Sequence, residues 1–460
     1  MNRPEPAVAI YVFKGLRSTK GQKYSHPAAC HDELLWIGAE VLRDTLSRNG
    51  VDVGYTGPAT VNRNKVILVS ITAAREWWQF IRERVRWPDG KYTVIVGGAG
   101  LTNIEPFLPY FDCAVWGRAE SFICEVVGQA IDGKRYRNAN LCWADEYDPG
   151  ATYRFSQAES VYPRTLVVGG KSKRKQKWIE RAIGCRSKCA FCLYSWTHNP
   201  VIPAGESGQF NTICREGTFW TIDYADPPRV TAIDGVSERI RLTIGKPITN
   251  EMLTEGLARL SSESPYRGRI KLFNIVRYPS EKQDDYRELA ECFNRADGDL
   301  PRGRKALGVE LSNTPLIPEP CTPLACAEVC ANQYAQGHIA ALLRQYSEHP
   351  GQTKYNYFSG QRLWAIETGG TPSLASIVLE VIALRAKRED AELIRRIACS
   401  TRFWNAPRPR QWVTLRAEAQ AERFCRRYYW DELPTANLLG VVPRRVLEEK
   451  AEQIFARLFA

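Results

Sequence analysis

The stretch ERAIGCRSKCAFCLYSW, residues 180–196, places Cys185, Cys189 and Cys192 in a C-x3-C-x2-C pattern. Three thiolates on one short loop can hold three irons of a [4Fe–4S] cluster and leave the fourth iron without a protein ligand. An open coordination position separates a catalytic metal site from a closed structural one. Zinc asks for a fourth side chain, and His198 is the only candidate nearby in sequence. A zinc loop and three unrelated thiols are the competing readings.

With Phe191 ahead of the last cysteine, this loop resembles that of the radical S-adenosylmethionine (radical SAM) superfamily. The resemblance implies that the open iron is chelated by the amino and carboxylate groups of SAM, with the aromatic ring near its adenine. It also implies that the reduced cluster cleaves SAM to methionine and a 5′-deoxyadenosyl radical, fed by an external electron donor such as flavodoxin.

The rest of the composition suits an enzyme of two or three domains. The chain has 460 residues, 44% of them hydrophobic and 11% aromatic, which is ordinary for globular domains. The start, MNRPEPAVAIYVFKG, lacks the succession of a signal peptide, and no apolar run reaches the length of a membrane span. Fourteen cysteines in a chain expected to be cytoplasmic read as thiols and metal ligands rather than a disulfide framework. The net charge of +12 is unevenly placed. It concentrates around KSKRKQK (residues 171–177) and in the tail RFWNAPRPRQWVTLRAEAQAERFCRRYYW (residues 402–430). Basic residues among aromatics offer phosphate contacts and stacking faces, so Lys171, Lys173, Arg174, Lys175, Lys177, Trp404 and Trp412 are candidate nucleic-acid contacts. A solvated hairpin and an ordinary charged helix are the plainer readings.

Upstream, apolar runs alternate with helical patterns. AVAIYVF (7–13), VDVGYTG, KVILVSITA, YTVIVGGAG and CAVWGRAE read as strands. Residues 31–50 place Leu34, Leu35, Ile37, Val41, Leu42 and Leu46 at helical spacing and stop at Gly50; further helices are expected around 75–85 and from Ser121. Such alternation predicts an α/β, doubly wound, Rossmann-like sheet, whose ligands bind where strand ends meet loops: Ser70, Thr72, Gly97 and Gly98. VSIT, VGGAGLT and FDCAVWGRAE resemble the cobalamin-binding domain that precedes the barrel in one large group of radical SAM enzymes. That resemblance implies that the Ser and Gly-Gly turns receive the cofactor's nucleotide tail. The D-x-H-x-x-G motif of other cobalamin proteins is missing, as it often is in this group.

Downstream, KWIERAIGC, TFWTIDY, RVTAIDG, RIKLFNIVRYP, KALGVELS and RLWAIETGG are candidate strands of a partial (β/α)6 barrel with chemistry at their carboxyl ends. DGVSERIRLTIGKPITNEML, IKLFNIVRYPSEKQDDYREL and VELSNTPLIPEPCTPLA resemble, in order, segments of the same cobalamin-type group. Asp234 stands where the group has Glu, and Arg277 where it has Gly. By that resemblance Asp234, Ser237 and Arg239 would hold the ribose and carboxylate of SAM, and Asp223 in TIDYAD would serve its amino group. CTPLACAEVCANQYAQ reads as a helix capped by Thr322, with Cys326 and Cys330 one turn apart in the core; a second cluster on Cys321, Cys326 and Cys330 is the less favoured reading.

The expected organisation is a cobalamin-binding-type domain over 1–145, a linker and basic hairpin over 146–177, a radical SAM barrel over 178–375 and a helical C-terminal region over 376–460. The expected activity is hydrogen abstraction from carbon by a radical SAM enzyme, an isomerase or a transferase. Its first reading is modification or isomerisation of a hypermodified nucleobase in DNA. The alternative is cobalamin-dependent methyl transfer to a small molecule or peptide. Methylthiolation of tRNA fits badly, since the end, RRVLEEKAEQIFARLF, reads helical where a β-rich RNA module would stand.

Overall fold

A computed structural model describes residues 7–11, 37–72, 74, 76–157, 164–168, 176–180, 187–199, 230–263, 269–298, 308–327, 382–399, 438–439 and 443–460. The N-terminal sheet comprises β1 (Val8–Tyr11), β2 (Val53–Thr56), β3 (Val66–Ser70), β4 (Thr93–Gly97), β5 (Cys113–Val115) and β6 (Leu141–Trp143). Their order is β2-β1-β3-β4-β5-β6, parallel throughout except for the antiparallel β6. The order reverses between β1 and β3, the signature of a doubly wound sheet.

Near-continuous apolar strands follow from burial on both faces. Ile67, Val69, Val94 and Val96 face α2 (Glu76–Arg84) through Trp77, Trp78, Phe80 and Ile81. Val66, Leu68 and Ile95 face the other core, which holds Leu46 of α1 (Ile37–Arg48) and Val126 and Val127 of α3 (Ile123–Ile131). The sheet is therefore covered by helices on both sides.

A second unit contains β10 (Val230–Ala232), β11 (Arg269–Val276) and β12 (Gly308–Pro315) in one parallel sheet of that order. Between β10 and β11 lie α5 (Glu238–Thr243) and α6 (Asn250–Glu263); between β11 and β12 lies α7 (Gln283–Gly298). Leu272, Val276 and Leu311 share one core with Leu253, Leu257, Leu289 and Phe293 of these helices. These are three parallel strands joined by two helical crossovers of the expected barrel; TFWTIDY and RLWAIETGG lie outside the described residues.

Two further sheets have two short strands each. The strand β7 (Tyr153–Arg154) pairs with β13 (Leu438–Leu439), and β8 (Arg164–Val168) pairs antiparallel with β9 (Gln176–Glu180). KWIERAIGC was expected to supply a barrel strand; its described part lies in β9, which among the described residues pairs with β8. The C-terminal region is shared between both cores. In α8 (Ala391–Cys399), Ile394 and Ala398 join the core beneath α2, and Asn103 Nδ2 donates to the carbonyls of Ala383 and Ala386 at 3.1 and 2.8 Å. In α9 (Arg444–Phe459), Ile454 and Leu458 join the barrel core instead.

Candidate active site

The cysteine loop sits in the seam between the two cores. Ala190 and Phe191 pack into the barrel core, whereas Leu193, at the start of α4 (Leu193–Thr197), packs against the core of the N-terminal sheet. Main-chain bonds seat the loop between the turn that ends α5 and the turn after β12. Ala190 N donates to Ile244 O at 2.8 Å, and Leu324 N donates to Ala190 O at 3.2 Å. Within the loop, Cys192 N donates to Cys189 O at 3.1 Å, so two of the three cysteines share one turn. Trp196 Nε1 donates to that same Cys189 carbonyl at 2.8 Å. Lys188 adopts a left-handed backbone (φ 49), bonds the Ser195 carbonyl and lies over the Trp196 ring at 5.5 Å.

Cys189 and Cys192 are thiols, not disulfide sulfurs, and the Cys189 thiol reaches Gly245 O at 3.6 Å. Two soft sulfur donors on one tight turn fit a thiolate-ligated cluster. Cys185, the third, lies outside the described residues. Among the described residues no three His, Cys, Asp or Glu side chains, His198 with Cys189 and Cys192 included, come close enough to hold a metal. The His198 ring is buried, stacked on Tyr194 at 4.6 Å, with Nδ1 2.9 Å from Thr197 Oγ1. Burial, then the charges of Arg118 and Lys188, pull its pKa down to about 4. Gln157 fastens the end of α4 to the N-terminal unit, donating to Thr197 O at 3.0 Å and accepting from Asn199 N at 2.8 Å.

The barrel mouth beside Cys189 is polar and strained. Asp234 (φ 54) follows β10, Arg277 (φ 67) follows β11, and Cys321 (φ 58) lies in the turn after β12. Buried Asp234 pairs through Oδ2 with Lys246 Nζ at 2.8 Å, and its carbonyl accepts from the Tyr278 hydroxyl at 2.8 Å. Lys246 adjoins Gly245, so this ion pair stands directly over the turn that meets Cys189. Burial pushes the Glu281 carboxyl up to about 7, against bonds from Tyr286 and the Tyr278 amide. Lys246 and Tyr278 were not singled out from the sequence. The resemblance of the segment DGVSERIRLTIGKPITNEML, which contains it, carried the only signal for Lys246.

Ser237 and Arg239 are directed elsewhere. Ser237 caps α5, accepting from Ile240 N at 3.4 Å and donating to Asp285 Oδ1 at 2.7 Å, fully buried. Arg239 pairs with Asp285 at 3.0 Å and donates to Ser280 O at 3.2 Å and Leu458 O at 2.7 Å. Its guanidinium therefore clasps the last turn of α9. Asp234, by contrast, pairs with Lys246, next to the glycine whose carbonyl accepts from the Cys189 thiol.

At the N-terminal sheet, Ser70 ends β3 opposite Gly97 of β4. Thr72 donates through N and Oγ1 to the Glu76 carboxylate at 2.6 and 2.8 Å, which starts α2 rather than facing a ligand. Gly98 has φ +114, and a Cβ there would stand 2.4 Å from Ile71 O. Its glycine is demanded by backbone crossing, whereas a Cβ on Gly97 would meet only Val115 O at 3.6 Å. Trp77 and Trp116 take the carbonyls of Gly100 and Leu101 at 3.3 and 2.7 Å, pinning the following turn.

Residues 321–327 form tight turns instead of the expected helix. Thr322 Oγ1 donates backwards to Glu319 O at 2.7 Å, and Cys326 is exposed. Contacts of Leu324 with Ala190 and of Arg385 with Ala325 O override the local helix signal. Lys171, Lys173, Arg174, Lys175, Asp223, Cys330, Trp404 and Trp412 lie outside the described residues, as does the side chain of Lys177, whose backbone pairs with Val167. No described helix is long and apolar enough to cross a membrane.

No family model and no curated protein matches the chain. Among solved structures it is similar to the radical S-adenosylmethionine methyltransferase TsrM from Kitasatospora setae, a structure with tryptophan substrate and a SAM analog bound. The TM-score is 0.25 at 12% identity, over 74% of this chain and 66% of that one.

Proposed function

We propose that the chain is a radical SAM enzyme in which Cys185, Cys189 and Cys192 hold a [4Fe–4S] cluster beside a SAM site containing Asp234. The observation that carries this reading is the seating of the cysteine loop between the turn that ends α5 and the turn after β12, with Lys246 of the first turn paired to Asp234 at the carboxyl end of β10, the end of a strand–helix barrel where chemistry resides. The cluster, when bound and reduced, supplies the electron that cleaves SAM. The chain's own residues shape the site. Asp234, with Oδ2 taken by Lys246, offers Oδ1 as an acceptor for a hydroxyl or ammonium group. Phe191, half in the barrel core, offers a ring face to the adenine. Leu193 and Gln157 tie the loop and α4 to the N-terminal unit.

The reaction proposed is cobalamin-dependent methyl transfer to a small molecule or peptide. A doubly wound sheet sharing its core with the cysteine loop supports it, with Ser70 and Gly97 at the sheet's carboxyl edge to meet the cofactor. Modification of a nucleobase in DNA is the second reading, favoured by the antiparallel β8–β9 pair that flanks the basic run 171–177. Absorption spectra of protein purified anaerobically from cobalamin-supplied cells test the choice. Co-purified cobalamin, lost in Gly97→Val, is expected. Protein without cobalamin, binding single-stranded DNA with a steep salt dependence, would overturn methyl transfer in favour of the second reading.

A further inference from the structure

We propose that Arg241 is the positioning residue of this site, fixing Asp234 and the Gly245 carbonyl relative to Cys189; the proposal rests on the radical SAM reading. Arg241 is fully buried. Its Nε donates to Ile248 O at 2.8 Å, its Nη1 to Gly235 O at 3.2 Å, and its Nη2 to Asn250 Oδ1. Its own carbonyl accepts from Lys246 N at 2.8 Å. Gly235 directly follows Asp234, and Ile248 lies two residues beyond Lys246. One rigid guanidinium thus ties together the two limbs of chain that carry the ion pair.

The consequence reaches the cysteine loop through two further contacts. The limb held by Arg241 includes Ile244, whose carbonyl takes Ala190 N, and Gly245, whose carbonyl faces the Cys189 thiol. Its partners are carbonyls and an amide, with the carboxylates of Glu238 and Glu288 acting only at a distance. A cation kept from water on neutral acceptors carries a desolvation cost, which an apolar side chain filling the same space would not. What the guanidinium adds is geometry: a planar fork bridges two carbonyls at fixed separation, which an ammonium cannot do. On the same motif Ser237 bonds Asp285 of α7 and Arg239 clasps the C-terminal helix, whereas Arg241 bonds the limbs on either side of the Asp234–Lys246 pair.

The test uses the full chain, reconstituted with iron and sulfide under anaerobic conditions, in wild-type, Arg241→Met, Arg241→Lys and Asn250→Ala forms. Iron content, the unfolding midpoint, SAM affinity and the change in the reduced cluster's electron paramagnetic resonance on adding SAM are measured together. Arg241→Met is expected to load iron as wild type does but to bind SAM about tenfold more weakly or worse, as misplaced groups do. Arg241→Lys, which keeps the charge but not the fork, should lose about as much. Arg241→Met with wild-type SAM affinity and an unchanged resonance shift overturns the proposal. Should Arg241→Met fail to fold, Asn250→Ala decides, since it removes one of the three acceptors. Weaker SAM binding at an unchanged unfolding midpoint supports the proposal, and unchanged binding overturns it. Wild-type protein that takes up no cluster would bring down the radical SAM reading itself, a result distinct from any difference between variants.

Discussion

The N-terminal sheet and the barrel handle left-handed backbone in opposite ways. In the sheet region every described residue with such a φ is a glycine: Gly50, Gly98, Gly117 and Gly133. In the barrel and its cysteine loop five are not: Lys188, Asp234, Arg277, Ser280 and Cys321, with Gly245 the one glycine. A side chain in this conformation is strained by roughly 1–2 kcal/mol. Such strain is tolerated where surrounding structure over-determines it, and it gathers at functional sites. Here it gathers at the turns after three parallel strands and at the loop with the cysteines. The sheet is built without strain, and the barrel mouth is built around it.

The largest effect that would break this contrast lies in the sheet. Gly98→Ala and Gly117→Ala would each push a Cβ to 2.4 Å from a carbonyl oxygen, of Ile71 and of Ser156. Each should destabilise the apo protein by about 3 kcal/mol or more in urea unfolding, whereas Gly97→Ala should change it by less than about 1 kcal/mol. Equal tolerance at all three would show that the close crossings are not real.

A middle-sized effect belongs to the seam. His198 is held neutral down to about pH 4 in the fold, by burial first, against an ordinary value of 6.5. Below pH 6.5 the unfolded chain takes up a proton that the folded chain refuses, so stability falls as pH drops from 6.5 towards 4. The loss should reach about 2–3 kcal/mol across that window and shrink in His198→Gln. Parallel pH profiles for the two proteins would place His198 in water.

The smallest effect sharpens the contrast at the mouth. Arg277→Gly removes the left-handed penalty but adds chain entropy to the unfolded state, for a net gain below about 1 kcal/mol. A clear loss in thermal unfolding would mean that the contacts of Arg277 outweigh its strain.

Legibility follows the same division. Strands such as VILVS and TVIVG are readable because burial on both faces leaves a continuous apolar run, and α1 because its apolar spacing ends at Gly50. The edge strand Leu141–Trp143 is too short for any period to show. In the candidate site, spacing and resemblance pointed to Cys189, Cys192 and Asp234. The partners that turn Ser237 and Arg239 away are Asp285 and Leu458, up to 219 positions distant in sequence. No local pattern encodes such a partner. The Thr-Pro signal at 322–323 misled for the same reason, because Leu324 is claimed by the cysteine loop.

The central claim is that the cysteine loop holds a cluster with one open iron. Its most direct test is iron analysis and electron paramagnetic resonance on reduced, anaerobically reconstituted protein, with and without SAM, beside a variant with Cys185, Cys189 and Cys192 all changed to Ala. The account predicts about four irons per chain, a signal altered by SAM, and neither in the variant. A variant that keeps its irons and still yields 5′-deoxyadenosine, or a wild-type chain that takes up zinc alone, would contradict it.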